Sequence, residues 1–476
     1  MGGTVPCSLG PQTHNRKNQI FGALSACLTM AVAGTCYSKS SVVLPQLRSE
    51  QSDIIITVEE GSWFASMIVL GSFLGCVLGG FTSDFFGRRI SLIIDNITFI
   101  ISLFLIALAP NFSVMLVGRF LEGVSAASCL VSIPIFVNEI SQPEVKGFTS
   151  SLNMICYTTG FAFMSILGAM FPWRWAVGIV LIIPLTALVG LGISHETPVW
   201  LLRKGREDAA LRSMTFYRGN EEVIKWEMER TKRSIADVNI DRDESSLLKM
   251  AKRLLRRPDF MKPFLIVLGL VTIMIDCSGL PAFAFYLVPI LQESNLPIDP
   301  YWCAASLTCY RAFIAIATSG IVARCHRRPV FFASGCAIIF SSGSFSLYYL
   351  LDTHHLLDNF PWIKWWPVLS IFVMYTGFSC GYASVIYNYQ GELMPLDTRS
   401  FGSGLIGLVD NLFLFVLAKS IPSLTIMIGL EGLFSIFFIV TSISMILSYF
   451  YLPETFGLNS EEIGDLFKKR TVTENP

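Results

Sequence analysis

A chain of 476 residues that is 53% hydrophobic, only 15% charged and has a mean hydropathy of +0.57 is too apolar for a soluble protein of two or three domains. Its 35 basic and 35 acidic residues cancel, which excludes the basic surface of a nucleic-acid binder. An integral membrane protein remains, with the lipid bilayer as its first partner.

Met1 to Asn18 is polar, and the apolar run that follows is already of membrane length, so it reads as a first span and not as a cleaved signal peptide. A helix crosses a hydrocarbon core of about 30 Å in roughly 20 residues. On that ruler spans are expected near 19 to 37, 62 to 80, 90 to 109, 113 to 135, 148 to 170 and 176 to 194, then near 263 to 291, 301 to 323, 330 to 350, 367 to 391, 401 to 427 and 430 to 452. The fold class is therefore an all-α membrane protein of twelve transmembrane helices in two halves. Its parts are a cytoplasmic N-terminus (1–18), an N-terminal six-helix bundle (19–194), a cytoplasmic loop with short surface helices (195–262), a C-terminal six-helix bundle (263–452) and a cytoplasmic C-terminus (453–476). The 12 cysteines lie mostly singly within apolar runs, Cys27, Cys76 and Cys129 among them, and read as small packing residues.

The stretch Gly79 to Arg89, GGFTSDFFGRR, puts charge in a short turn between the second and third spans, with Gly79 and Gly80 allowing neighbouring backbones to approach. Its paired arginines recur at Arg327-Arg328, 239 residues later. Glu139 stands seven residues before Lys146 with Pro143 between, and Glu392 stands seven before Arg399 with Pro395 between, an offset of 253. Glu196-Thr197 closes one apolar block and Glu454-Thr455 the other, an offset of 258. Three marks in the same order at similar spacing make one half a diverged copy of the other, the sign of a transporter whose halves rock around a central site. The distribution of Lys and Arg sets both termini inside, with Lys39, Arg48, Arg174 and Lys364 alone falling outside. Asp84, Arg88, Arg89, Arg119, Glu139 and Lys146 of one half, and Arg324, Arg328, Glu392 and Arg399 of the other, are expected at the inner ends of spans. There they form a cytoplasmic gate of weak, breakable ion pairs.

Read together, GGFTSDFFGRR, Gly118-Arg119-Phe120, Pro134 to Glu139, Glu196 to Leu201 and Pro453 to Leu458 resemble, in that order, the sugar porter family of the major facilitator superfamily. Gly61-Ser62-Trp63 ahead of the second span is most similar to the insect facilitated trehalose transporters. The resemblance implies a monomeric carrier in the plasma membrane that moves a small solute, a sugar such as trehalose or a hexose, by alternating access. It implies no cofactor. No nucleophile and base stand at a recognisable spacing, and His14, His195, His326, His354 and His355 are isolated, so neither an enzyme nor a metal site is expected.

The cavity departs from that family. Where the family's seventh span carries amides, this chain has Ile275-Asp276-Cys277-Ser278-Gly279-Leu280-Pro281, then Phe285-Tyr286. Met154 replaces a fifth-span glutamine, Tyr387 a tenth-span tryptophan, and Asn411 keeps the eleventh-span asparagine. The substrate-binding residues expected from this alignment are Met154, Asp276, Ser278, Tyr286, Tyr387 and Asn411. Loss of the amides also admits a carrier of a non-sugar organic solute. A non-transporting nutrient sensor is the competing class. A charge inside a span needs a partner or a role. Asp276 is expected to pair with Arg311 across the seventh and eighth spans, and Asp410 with Lys419 in the eleventh. The first span carries no acid, which favours a passive uniporter.

Overall fold

The computed structural model describes residues 15–454 except 51, 240–257, 295, 323–324, 357–360 and 395–398, and among the described residues all regular structure is helical. The first six spans are Arg16–Leu47, Val58–Phe86, Arg88–Ala107, Phe112–Ile140, Pro143–Met170 and a sixth split into Trp173–Val180 and Ile182–Ile193. The seventh runs from Pro258–Leu268 through a wider, π-type stretch Gly269–Ile275 to Leu280–Glu293. The eighth is Pro300–Val322 and the ninth Arg327–Thr353. The tenth joins Trp366–Gly377, a second π-type stretch Phe378–Tyr382 and Ala383–Glu392. The last helix, Arg399–Tyr451, is 53 residues long, about 80 Å if straight and far more than one crossing needs. Gly429, at φ +73°, breaks it into the eleventh and twelfth spans.

The first span is the element that departs furthest from expectation. Ser38 to Ser41 reads as the start of an outer loop, yet the helix continues through it to Leu47 because each polar side chain there finds a partner inside the bundle. Lys39 therefore lies within the membrane span, fully buried, and not outside it.

The two halves pack by different means. In the first, spans meet backbone to backbone: a Cβ at Gly71 of the second span would lie 2.1 Å from the Phe120 carbonyl, and one at Gly123 of the fourth 1.9 Å from the Ile68 carbonyl. Without water to drive helices together, such close van der Waals contact is what holds them. Gly79 makes the same approach to Ser128, whereas Gly80 faces open space and takes no part. In the second half, rings fill the gaps: Phe283, Phe345 and Phe434 lie with centroids 4.3 to 5.5 Å apart.

The polar segment after the sixth span forms three short helices, Pro198–Arg203, Glu207–Arg218 and Glu221–Asn239. They dock on the bundle and do not simply float in solvent. Trp200 donates its indole N–H to the Asp84 carbonyl at 3.0 Å, and Arg218, 2% exposed, pairs with Glu227 while donating to the Ile140 carbonyl that ends the fourth span.

These contacts predict that Gly123→Val separates the second and fourth spans, costing about 1–3 kcal/mol or more of overpacking strain and lowering the melting temperature of the detergent-solubilised protein, whereas Gly80→Ala leaves it unchanged.

Candidate substrate cavity and its closures

Each half closes one end with a partly buried carboxylate that caps a helix. Both oxygens of Glu196 accept the Arg89 backbone N–H at 3.1 Å, where the third span begins, and the Arg89 guanidinium donates to the Leu191 and Gly192 carbonyls at 2.6 and 2.8 Å. Glu454 accepts the Arg327 and Arg328 N–H groups at 3.1 and 3.0 Å, where the ninth span begins, and Arg328 donates to the Tyr449 carbonyl at 2.6 Å. A carboxylate at a helix N-terminus meets unpaired N–H donors and the positive end of the helix dipole. Burial pushes the Glu196 carboxyl up, against the pull of the backbone N–H groups of Thr197, Arg89, Ile90 and Arg88. The repeat at Arg89 with Glu196 and Arg328 with Glu454 is the internal duplication in three dimensions.

At the same end Arg88 pairs with Asp84 at 3.0 Å and Glu139 at 3.4 Å, both from its own half. Lys146 is exposed nearby in sequence, at the start of the fifth span. Arg324 lies outside the described residues, as do the side chains of Glu392 and Arg399. Arg119 does not belong to this group. It stands twenty residues before Glu139 on one helix, about 30 Å away, and so at the far end of the bundle.

There Arg119 forms a fully buried cluster with Glu122 and Lys39 that the sequence reading misses. Arg119 donates to Glu122 at 2.8 Å, to the Cys36 carbonyl at 2.7 Å and to the Ser40 hydroxyl at 2.5 Å, and its guanidinium lies 4.7 Å from the Phe64 ring centre. Lys39 closes onto the other Glu122 oxygen. The signal for it in sequence is Arg119 and Glu122 at i, i+3 inside an apolar run, charges that need each other to enter lipid.

The far end is joined across the two halves by hydrogen bonds and ring contacts. The Val288 N–H donates to the Ser41 hydroxyl at 2.9 Å, joining the seventh and first spans. Lys419 donates to the Ser62 hydroxyl at 2.8 Å and sits 4.1 Å from the Trp63 ring centre, joining the eleventh and second. Tyr37 meets Phe285, and Trp63 meets Phe415, with ring centres 6.1 and 6.2 Å apart.

Deeper between the halves, Tyr387 is 53% exposed yet within electrostatic reach of Asp410 and Asp276 of its own half and of Tyr157 and Tyr37 of the other, so its exposure is to the space between the halves. Asn411 donates to the Gly407 carbonyl at 2.7 Å and to the Cys76 sulfur at 3.6 Å across the halves. Met154 is partly exposed on the fifth span. Ser278 and Tyr286 are buried and their hydroxyls already engaged. Ser278 donates to the Ile275 carbonyl at 2.6 Å and accepts from the Leu280 N–H, stitching the break in the seventh span, and Tyr286 donates to the Ala418 carbonyl at 3.0 Å.

Neither expected pair inside the spans forms. Arg311 instead lies 5.0 to 5.6 Å from the ring centres of Phe161, Tyr375 and Phe378. The physical reason is that Arg311 is held by these rings and that Asp276 follows a π-type turn and precedes the break at Gly279, φ +88°, so the seventh span is not the straight helix that the pairing requires. Lys419 is nine residues from Asp410, about 13 Å along the helix, and is taken by Ser62 and Trp63.

Removing Glu122 leaves two buried cations without a counter-charge, a loss of about 3–5 kcal/mol. Glu122→Ala is therefore expected to abolish recovery of folded protein in size-exclusion chromatography, while Asp84→Ala, which removes an exposed partner, leaves recovery near wild type.

The family model for sugar (and other) transporters matches residues 20–467. The chain is similar to a facilitated trehalose transporter Tret1-2 homologue of Drosophila simulans, 26% identical over 97% of this chain and 93% of the relative. It is 28% identical to the facilitated trehalose transporter Tret1 of Drosophila mojavensis over 94% of this chain, which spans about half, 51%, of that protein. Among solved structures it is similar to the xylose transporter XylE from E. coli in an inward-open conformation, with a TM-score of 0.72 and 17% identity over 94% of this chain and 98% of XylE. A second XylE structure, bound to 6-bromo-6-deoxy-D-glucose, gives a TM-score of 0.72 and 16% identity over 95% of this chain and the whole of that one. The shared architecture is the major facilitator fold of two six-helix halves. With nearly its whole length matched, this multi-pass membrane protein belongs to the sugar (and other) transporter family.

Proposed function

We propose that the chain is a facilitative uniporter of a sugar, trehalose or a hexose, carried down its gradient by alternating access. The observation that carries the reading is the contrast between the two ends of the cavity. Ser41, Ser62, Val288 and Lys419 bind the halves together at the far end, and the pairs of Arg88 at the other end stay within one half. A solute at Tyr387 and Asn411 is then open to the end that carries the paired arginines. Passive transport is favoured by the first span, whose buried charged group is Lys39, already tied to Glu122, and not an acid able to carry a proton.

In this reading both termini are cytoplasmic, the protein acts as a monomer in the plasma membrane, and Asp84, Arg88, Arg89, Glu139 and Lys146 meet Arg324, Arg328, Glu392 and Arg399 when the inner end shuts. Met154, Asp276, Tyr387 and Asn411 contact the solute. Ser278 and Tyr286 shape the seventh span behind them. A non-sugar organic solute is the second reading, favoured by the apolar Met154 and Ile275 where the family resemblance implies amides.

Labelled trehalose and glucose uptake into proteoliposomes tests this. Saturable uptake that stops at the external concentration, with or without a proton gradient, is expected. Uptake of neither sugar overturns the substrate, and accumulation driven by an inward proton gradient overturns the uniport. Arg88→Ala, which removes one pair to the exposed Asp84 and one to the mostly buried Glu139, is expected to slow initial uptake about two- to fivefold and leave the final level unchanged.

A further inference from the structure

Arg311 stands midway along the eighth span and is 4% exposed, with three aromatic rings around it. Tyr375 and Phe378 come from the tenth span and Phe161 from the fifth, with ring centres 5.0 to 5.6 Å from the guanidinium carbon. The rings attract its charge, but they give its N–H donors no carbonyl or carboxylate oxygen. Among the described residues the guanidinium makes no hydrogen bond and no ion pair, and its Nε is buried without an acceptor. The hydroxyl of Tyr375 is likewise buried without a partner, whereas that of Tyr310, one residue before Arg311, meets Thr376 at 2.7 Å.

Buried donors in a folded protein are nearly always paired. Here two stand unpaired beside one another within the spans, and one of them carries a permanent charge. A water molecule answers a donor but not the charge, so the acceptor that fits is an anion. The position also adjoins the cavity. Phe161 belongs to the first half and Arg311 to the second, so the charge lies at the seam between them. Tyr157, one turn before Phe161, has its ring centre 6.3 Å from that of Tyr37, and Met154 on the same face of the fifth span is partly exposed. The helix face that covers Arg311 is therefore the face that lines the space between the halves.

We propose that Arg311 and Tyr375 form an anion subsite at the edge of the cavity and that the transported solute is a hydroxylated acid, a sugar acid, whose carboxylate binds there. This rests on the carrier reading above and adds a negative charge to its solute. The planar guanidinium fork donates to both oxygens of a carboxylate, and the Tyr375 hydroxyl donates to one of them. A neutral sugar leaves these donors unpaired and binds less tightly. Tyr387 and Asn411 take the hydroxyls. Because Arg311 stays with the protein, each turnover moves one negative charge across the membrane, and the solute distributes with the membrane potential.

The test compares glucuronate with glucose, which share a ring and differ in a carboxylate against a hydroxymethyl group, as ligands that raise the unfolding temperature of the detergent-solubilised full chain in a zwitterionic buffer. Glucuronate is expected to bind about tenfold to hundredfold tighter than glucose. Arg311→Gln brings that ratio to about one. Tyr375→Phe lowers it about three- to tenfold and does not lower the unfolding temperature of the free protein, because the hydroxyl removed had no partner. In proteoliposomes, labelled glucuronate accumulates above its external concentration under an interior-positive potential, and glucose does not. Equal affinity for the two in the wild type, or a preference that survives Arg311→Gln, overturns the subsite. Chloride that raises the unfolding temperature as much as glucuronate at the same concentration makes the occupant an inorganic ion and overturns the sugar acid. Uptake of glucose or trehalose with no binding of glucuronate overturns the subsite and leaves the sugar reading standing. Arg311-dependent binding of glucuronate with no uptake of any solute overturns the carrier reading and leaves the subsite standing.

Discussion

The hydrocarbon core offers no water to a polar group, and that one constraint organises the molecule. Ser38 to Ser41 remains helical because its side chains reach Ser165, Glu122, Arg119 and the Val288 N–H. Arg119 enters the membrane only with Glu122 and the carbonyls of Cys36 and Phe64 around it. The helix ends at Arg89 and Arg328 are closed by Glu196 and Glu454 for the same reason. Where backbone hydrogen bonding is interrupted, at residues 277–279, the Ser278 hydroxyl and carbonyl take up the freed groups, the carbonyl accepting from Ser342.

The constraint also separates what the two halves do. In the first, glycines bring spans into backbone contact that leaves little room for rearrangement. In the second, the seventh and tenth spans are interrupted at Gly279 and Gly381, and both interruptions lie beside the cavity residues Asp276 and Tyr387. Irregular backbone at membrane depth is tolerated where it lines a cavity, and it is there that a carrier is able to bend. The groups proposed to face the solute, Asp276, Tyr387 and Asn411 with Met154, accordingly come mostly from the second half.

Much of this was legible in the sequence. The spans follow from apolar length, and the duplication follows from three repeated marks, two of which prove to be one interaction repeated, a glutamate capping the helix begun by paired arginines. What the sequence could not yield was rotation and depth. Lys39 looked like a loop residue because serines flank it, and Arg119 looked like a gate residue because it belongs to a motif whose other members lie at the opposite end of the bundle. Asp276 seemed to answer Arg311, since a straight helix would bring them together. The π-type turn before Asp276 makes the helix other than straight there, and no periodicity in the sequence announces that turn. Ser278 and Tyr286 matched cavity positions by alignment, but their hydroxyls are satisfied within the scaffold.

Alternating access requires the two halves to tilt in opposition, closing one end of the cavity as the other opens. Spin labels placed on exposed residues at each end measure this: Glu50 and Asp352 at the far end, Lys146 and His326 at the end with the paired arginines, in a background without reactive native cysteines. Pulsed dipolar distances taken with and without saturating trehalose are predicted to change in opposite senses at the two ends. Distances that stay fixed at both ends, or lengthen and shorten together, would contradict it.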